Sequence, residues 1–144
     1  MYDESGRMTE VRDAADAAIA TYYYDPFGRR LSKNLNGVRT YYLYSDEGLI
    51  AEYDSTGAEI RSYGYLPGTA NSVAALYTKE NSQYYWYHND HIGTPQQLVD
   101  DTGTVAWEAI YTSFGKAAPV TETITNNFRL PGHYYPENRI KRTL

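Results

Sequence analysis

The chain has no cysteine, and it is poor in the aliphatic and phenylalanine side chains that usually build a protein core. The absence of Cys among 144 residues excludes disulfide bonds and thiolate metal sites. Leu, Ile, Val and Phe make up only 25 residues, a proportion that would indicate disorder if the net charge were high. The formal net charge is only -5, so the sequence still predicts an ordered domain.

Long apolar runs and basic stripes are also missing. No window approaches the roughly 20 apolar residues of a membrane span, and the chain starts without a basic or apolar leader. A pI near 5.1, with basic residues clustered only at 139–142, argues against nucleic acid as a partner. The sequence therefore predicts no membrane span and a cytoplasmic location if the chain is made alone.

Tyrosine replaces the missing aliphatic bulk. The chain contains 17 Tyr and 2 Trp, whose rings bury large areas, pair across strands and favour extended backbone. Strand-forming residues bounded by turn residues occupy 38–44, 58–65, 83–87 and 104–111. In the last run, Val105, Trp107, Ala109 and Tyr111 are predicted to share one face. This composition predicts an all-β protein.

A short motif, Tyr-Asp-x-x-Gly, recurs through most of the chain. Its copies cover residues 2–6, 24–28 and 53–57, with looser copies at 44–48 and 111–115 and a copy without tyrosine at 99–103. Asp suits the first position of a type I turn and Gly tolerates a left-handed backbone at the fourth, so each copy predicts a hairpin tip. The turn residues assigned in the two clearest copies are Tyr24, Asp25, Gly28, Tyr53, Asp54 and Gly57.

Four further segments carry local signals. Asn36-Gly37 predicts a tight primed hairpin turn, because both residues tolerate positive φ angles. Residues 12–20 contain five alanines, which leaves a short helix and an irregular linker as equal alternatives. The segments 66–72 and 115–127 are predicted to be polar connections.

Five segments together resemble the Rhs and YD-repeat proteins, specifically their Rhs-associated core region. These segments are residues 24–31, 44–54, 85–97, 101–109 and 128–132, and they include the block His88-Asn89-Asp90-His91-Ile92-Gly93-Thr94-Pro95. The resemblance implies antiparallel hairpins of YD repeats that form part of a spiral β-sheet shell around a variable C-terminal toxin. It also implies secretion or display at the cell surface, with the rest of the shell and the toxin as partners.

The resemblance covers residues 1–135, and the tail at 136–144 departs from the family pattern. Members of the family continue with an aspartyl self-cleavage region and a toxin, neither of which this sequence contains. A gene remnant or frameshifted copy is the hypothesis that this departure suggests. Such a segment would expose sheet edges and is predicted to self-associate through them.

The candidate chemical sites are few. His88, Asp90 and His91 could offer ligands to zinc, but no further His or Cys lies nearby, so a turn that ends in Gly93 and Pro95 is favoured. No nucleophile elbow or phosphate loop is present, so the sequence predicts no catalytic residues, no cofactor and no enzyme activity.

Two functions remain open at this level. The first is a structural segment of a toxin-enclosing shell. The alternative is a carbohydrate- or protein-binding cell-surface module that uses exposed aromatic rows. The candidate binding residues for that alternative are Tyr85, Trp86, Tyr87 and Trp107.

Overall fold

The computed structural model describes residues 1–66, 74–130 and 133–134, and these residues form β-strands joined by turns, without a helix. The all-β fold predicted from the sequence is therefore confirmed. The strands are β1 (Glu10–Arg12), β2 (Ala18–Tyr24), β3 (Arg30–Leu35), β4 (Val38–Tyr44), β5 (Leu49–Tyr53), β6 (Glu59–Tyr65), β7 (Ala75–Glu80), β8 (Gln83–Asn89), β9 (Pro95–Asp100), β10 (Val105–Tyr111), β11 (Ala117–Glu122), β12 (Phe128–Leu130) and β13 (His133–Tyr134).

Strands β1 to β11 follow one another in the sheet in the order of the sequence, and β12 pairs with β13 in a separate two-stranded sheet. Every pairing described between neighbouring strands is antiparallel. The chain divides into two compact units, Met1–Ser62 and Tyr63–Leu144, which are called unit 1 and unit 2 below. The four strand runs predicted from the sequence correspond to β4, β6, β8 and β10.

Unit 1 has one face that is buried although it carries charge. Glu52 on β5 lies directly opposite Arg61 on β6, and both residues are about 95% buried, with relative exposures of 5% and 4%. Their side chains approach to 3.9 Å. Tyr42 on β4 is the cross-strand partner of Glu52 on the other side and is also buried. The buried face of unit 1 is therefore built in part from paired charges and aromatic rings, where most protein cores have aliphatic residues.

The opposite face of unit 1 presents tyrosines to solvent. Tyr23, Ser32 and Tyr41 are successive cross-strand partners on β2, β3 and β4. The two tyrosines are exposed, whereas the small Ser32 between them is buried. Large neighbours across an antiparallel pair can cover a small residue in this way, since directly opposite side chains lie only a few ångströms apart.

Unit 2 contains a more conventional core. Trp107 on β10 pairs with Leu98 on β9, which in turn pairs with Tyr87 on β8, so the three side chains share one face of the sheet. Leu98 and Trp107 are completely buried. Phe128, which lies beyond β11 in the sequence, is buried as well and contacts the ring of Tyr87. This face is therefore covered by the chain that follows the sheet.

Three expectations from the sequence are wrong. The segment 115–127 is not a polar connection throughout, because strand β11 (Ala117–Glu122) lies within it and pairs with β10. Residues 12–20 form neither a helix nor a linker: Asp13 starts a tight turn between β1 and β2, and Asp16 adopts the left-handed backbone at φ 65°. In β10, Val105 pairs with Val99 whereas Trp107 pairs with the adjacent Leu98, across a register shift. Because adjacent strand residues point to opposite faces, Val105 does not share the face of Trp107.

The loop predicted at 66–72 and the divergent tail at 136–144 lie largely outside the described residues. Residue 66 alone is described in the loop, where Leu66 N–H donates to the carbonyl of Ala74. No helix in the described part of the chain is long and apolar enough to cross a membrane.

Candidate functional site: hairpin tips and aromatic faces

The hairpin tip at Asp25 shows how the repeated motif folds. The backbone N–H of Asp25 donates to the carbonyl of Arg29 at 2.9 Å, and the N–H of Gly28 donates to the carbonyl of Asp25 at 3.0 Å. The Asp25 carboxylate accepts the N–H of Arg29 at 2.8 Å. Gly28 has φ 84°, which is the left-handed region that glycine enters without steric cost. One Asp side chain and one positive φ angle therefore close the tip without help from other strands.

Among the described residues the same pair of backbone hydrogen bonds is found at seven tips. They cover residues 3–7, 13–17, 25–29, 54–58, 90–94, 100–104 and 112–116. The tip at Ser45 is shorter, because the Ser45 N–H bonds to the carbonyl of Gly48. A different turn joins β3 to β4, where Asn36 and Gly37 have φ 49° and 87°, as a primed hairpin turn requires. Asn81 and Ser82 form a second turn of that kind, at φ 52° and 64°.

Hydrogen bonds to the tip carboxylates lower their pKa values. The hydroxyl groups of Thr56 and Thr102 donate to Asp54 and Asp100, and together with backbone N–H groups they hold the pKa of each carboxyl below its ordinary value. At Asp25, burial acts to raise the pKa, but the bonds from Arg29 outweigh it and the pKa is lowered. The tip acids thus stay ionised and remain acceptors for their own turns.

Arginines connect neighbouring tips in unit 1. Arg7 pairs with Asp3 of its own tip at 2.7 Å and also donates to the carbonyl of Asp25 in the next tip at 2.9 Å. Its guanidinium lies 5.4 Å from the ring centroid of Tyr24. Arg29 repeats the arrangement, since it pairs with Asp25 at 2.6 Å and lies over the ring of Tyr44. A charged and aromatic ladder therefore runs along this end of the strands.

The motif tyrosines pack along the strands that lead into the tips. Tyr24 donates its hydroxyl to the carbonyl of Met8 at 2.9 Å, and Arg30 lies over its ring as well as that of Tyr22. Tyr53 pairs across the sheet with Tyr41 on β4 and is half-buried. These contacts join neighbouring strands.

The block from His88 to Pro95 forms the tip between β8 and β9. The Asp90 carboxylate accepts N–H groups from Ile92 at 3.0 Å and Thr94 at 2.9 Å, and Gly93 has φ 86°. Burial acts to raise the pKa of Asp90, yet these backbone bonds lower it overall. Among the described residues no group of three His, Cys, Asp or Glu side chains is placed to hold a metal ion.

Two of the proposed binding aromatics are inaccessible. Trp107 is fully buried and Tyr87 is 9% exposed, which is incompatible with the surface contact for which the sequence suggested them. The register shift before Trp107 places it on the core face instead. Trp86 lies on the opposite face of β8 from Tyr87 and is 40% exposed, whereas Tyr85 is half-buried and bonds to Gln83.

Trp86 belongs to a surface cluster that its neighbours hold in place. Its ring stacks on that of Tyr84 at 6.0 Å, with 18° between the planes, and Tyr77 meets both rings edge-on. The indole N–H donates to Asp101 at 3.0 Å. Of the four predicted binding aromatics, Trp86 is the most exposed, at 40%.

Sequence reasoning missed the segment after β11. Phe128 is 4% exposed and sits among three tyrosine rings, with centroid distances of 4.9 Å to Tyr63, 6.0 Å to Tyr65 and 6.3 Å to Tyr87. The sequence predicted a polar connection that ends at residue 127, and it placed Phe128 only in the family-resemblance segment 128–132. The buried pair Asn126 and Asn127 before the phenylalanine was the available signal, because buried amides need specific partners.

These features define a repeat protein in which antiparallel β-hairpins are closed by self-contained turns and linked by arginine and tyrosine contacts. Two family models match the sequence: the RHS Repeat at residues 2–39 and the RHS protein model at residues 84–121. The chain belongs to the Rhs repeat family, as its sequence predicted.

Curated relatives support the same family. The chain is 29% identical to the tRNA3(Ser)-specific nuclease WapA of Bacillus spizizenii over 94% of its own length, and 26% identical to the double-stranded DNA deaminase toxin A of Burkholderia cenocepacia over 86%. It is 30% identical to human teneurin-1 over 79%. The chain spans only 6%, 10% and 4% of the lengths of these three proteins.

A solved structure shares the fold. The Tc holotoxin pore of Photorhabdus luminescens contains a chain that matches 90% of this one with a TM-score of 0.57 at 16% identity. The match covers 7% of that chain. At this identity the likeness concerns the fold alone.

Proposed function

We propose that the chain is a structural segment of a shell that encloses a toxic cargo, and that it performs no chemistry of its own. The observation that supports this most directly is the engagement of its polar side chains within their own turns. The tip carboxylates that could serve as acids, bases or ligands, such as Asp54, Asp90 and Asp100, accept backbone N–H groups of the same turn. They therefore stabilise hairpins rather than face a substrate.

The relatives support the kind of protein to which such a segment would belong. Two are named for nuclease and deaminase toxin activities, and the structure that shares the fold is a holotoxin. The matched region is a small fraction of the length of each of those proteins. We therefore attribute the activity to the whole protein, of which this region is one part. The partners would be the remaining shell and its cargo, acting outside the cell that makes them.

The test is to isolate the native product with an antibody against this chain, measure its mass and image it by cryo-electron microscopy. A shell segment predicts that residues 1–135 lie within a larger β-sheet enclosure whose internal domain resists added protease. A freely soluble product that contains these residues as an isolated surface module would contradict the proposal.

The exposed cluster of Tyr77, Tyr84 and Trp86 is the observation that favours the alternative, a module that binds carbohydrate or protein. On that hypothesis Trp86→Ala abolishes binding on a glycan array while the circular dichroism spectrum stays unchanged. Tyr84→Phe serves as the matched control, because it keeps the stacked ring and removes only a hydroxyl group. If no glycan or surface protein binds the native chain, the alternative fails.

A further inference from the structure

The chain that follows β11 leaves the sheet and crosses the core face of unit 2. Thr123 still bonds to the sheet, since its backbone N–H and its hydroxyl group donate to the carbonyl of Ala106 at 2.8 and 2.9 Å. The Ile124 N–H also donates to this carbonyl, at 3.4 Å, and the side chains of residues 126–128 make further contacts with the sheet. Residues 123–129 are called the strap here.

The anchor of the strap is the ring of Phe128. Tyr63, Tyr65 and Tyr87 surround it, each nearly perpendicular to it, with interplanar angles of 87°, 90° and 83°. Edge-to-face packing of this kind is directional as well as apolar, so the three tyrosines form a receptor shaped for one aromatic ring. These three residues are called the tyrosine box.

The hydroxyl groups of Tyr63 and Tyr87 also form hydrogen bonds with the two Asn side chains that precede Phe128. Tyr87 donates to Asn126 Oδ1 at 2.8 Å, and Asn127 Nδ2 donates to the Tyr63 hydroxyl at 3.2 Å. Asn126 Oδ1 also accepts the Phe128 N–H at 2.9 Å, which fixes the local bend. The box therefore recognises the sequence Asn-Asn-Phe through three side chains at once.

The attachment is not a continuation of the sheet ladder. Strand β12, which contains Phe128, pairs with β13 in a sheet of its own, whereas the box residues lie on β6 and β8 of the larger sheet. Asn126 Nδ2 is buried without a hydrogen-bond partner among the described residues, a cost that detachment would relieve. The strap can therefore leave without breaking the strand pairings beneath it.

We propose that the tyrosine box is a docking site for the chain's own Asn-Asn-Phe segment, and that this releasable contact fixes where the chain departs from the repeat sheet. The proposal rests on the proposed shell function for its purpose, because a shell must hold the chain that continues from its wall in a defined place. The separable strap and the tyrosine box that binds it are features of this chain itself.

The experiment uses the full chain and follows trypsin cleavage after Arg129 by mass spectrometry. In the native chain Arg129 bonds to Glu122 and to the carbonyl of Asn126, which slows cleavage. Phe128→Ala should speed this cleavage at least about tenfold, because cleavage follows the population of the open form, while the far-UV circular dichroism stays unchanged. Ile110→Ala, on the exposed face of β10, is the matched control and should leave the rate unchanged.

A second variant distinguishes release of the strap from a general loss of folding. Tyr87→Phe keeps the ring that packs on Phe128 and removes only the hydroxyl bonded to Asn126, so a smaller increase in cleavage is expected. If Tyr87→Phe and a folded Phe128→Ala both leave the rate unchanged, the strap is not released. If Phe128→Ala unfolds the chain and Tyr87→Phe has no effect, Phe128 is an ordinary core residue and the proposal is overturned.

Recognition is tested with a synthetic peptide of the sequence Thr-Ile-Thr-Asn-Asn-Phe-Arg-Leu. By calorimetry the peptide should bind the Phe128→Ala chain, whereas a peptide with Phe replaced by Ala should not. The native chain, whose box is filled, should bind neither. Absence of peptide binding to a folded variant would contradict the docking site but leave the shell function standing, because that function is tested on the native product.

Discussion

Gly64 lies directly beneath the ring of Tyr77. A methyl group at position 64 would come within 2.2 Å of Tyr77 Cε1 and 2.7 Å of its Cζ, far inside van der Waals contact. The glycine therefore leaves the space in which this ring lies across the sheet. From that position Tyr77 reaches Tyr84 at 5.2 Å and Trp86 at 5.8 Å.

Gly64→Ala should therefore destabilise unit 2 by about 1–3 kcal/mol, the usual cost of overpacking, because Tyr77 must swing away from its two aromatic neighbours. Urea unfolding followed by circular dichroism measures this cost. In a Tyr77→Ala background the clash is gone, and the same substitution should be nearly neutral. An equal cost in both backgrounds would show that the glycine matters for another reason.

The two tryptophans should respond differently to removal. Trp107→Ala leaves a cavity in the core face and is expected to cost about 3–5 kcal/mol. Trp86→Ala removes a half-exposed ring and should cost roughly 1 kcal/mol. In the native chain acrylamide should quench only the Trp86 fluorescence, a result that single-tryptophan variants with Phe at the other position can verify. Quenching of Trp107 would contradict its burial.

Asp16 occupies the place that glycine holds in most other tips. Its φ of 65° carries a steric cost for any residue with a Cβ atom, so Asp16→Gly should stabilise unit 1, by up to about 1 kcal/mol. The exposed ion pair that it loses with Arg12 contributes little. Gly57→Ala is the reverse substitution, at φ 86°, and should destabilise by about 1–2 kcal/mol. Denaturant midpoints of the two variants should move in opposite directions.

Acid should weaken the tips. The pKa values of Asp3, Asp25, Asp54, Asp90 and Asp100 are all lowered in the folded chain. Because the native pKa values are lowered, the ionised carboxylates stabilise the fold. This contribution is complete above the unfolded pKa of about 3.9 and is lost as the pH falls through the native pKa values. The urea midpoint should therefore drop between about pH 5 and pH 3. Asp54→Asn should make that drop shallower.

Alkali should act through Tyr111. Burial raises the pKa of Tyr111 to about 12, and its hydroxyl donates to the carbonyl of Pro95 at 2.5 Å. The fold favours the neutral phenol. Its contribution to stability is complete below the ordinary tyrosine pKa of about 10 and is lost as the pH rises through about 12. Absorbance at the tyrosinate band should show a step near pH 12, and Tyr111→Phe should reduce that step. A titration that ends near pH 10 would contradict the burial.

The sequence predicts the hairpin tips well because their causes are local. Asp and Gly at fixed spacing suffice to define the turn at Asp25 or Asp54, whatever the rest of the chain does. The tip at Asp13 was not predicted, because the surrounding alanines favour a helix and Asp16 occupies the position where glycine was expected. The hairpin geometry overrides a weak intrinsic preference there.

The faces and the strap were harder to predict because their causes are not local. One extra residue before Trp107 reverses the face of everything after it, and no pattern in the sequence marks that bulge. The contact between Asn127 and Tyr63 joins positions 64 residues apart, a distance over which strand periodicity carries no information. Without knowledge of that bulge the buried Trp107 cannot be told apart from the exposed Trp86, so both were candidates for binding.

Self-contained tips also bear on how such a chain can change in length over evolution. The hydrogen bonds that close each Asp turn come from its own five residues, so duplication of a hairpin adds strands without altering how the turns on either side close. A single added strand would reverse the direction of all later strands, whereas a pair preserves it. Growth and loss in this family should therefore occur in steps of two strands, and homologous sequences of different length should differ by whole hairpins.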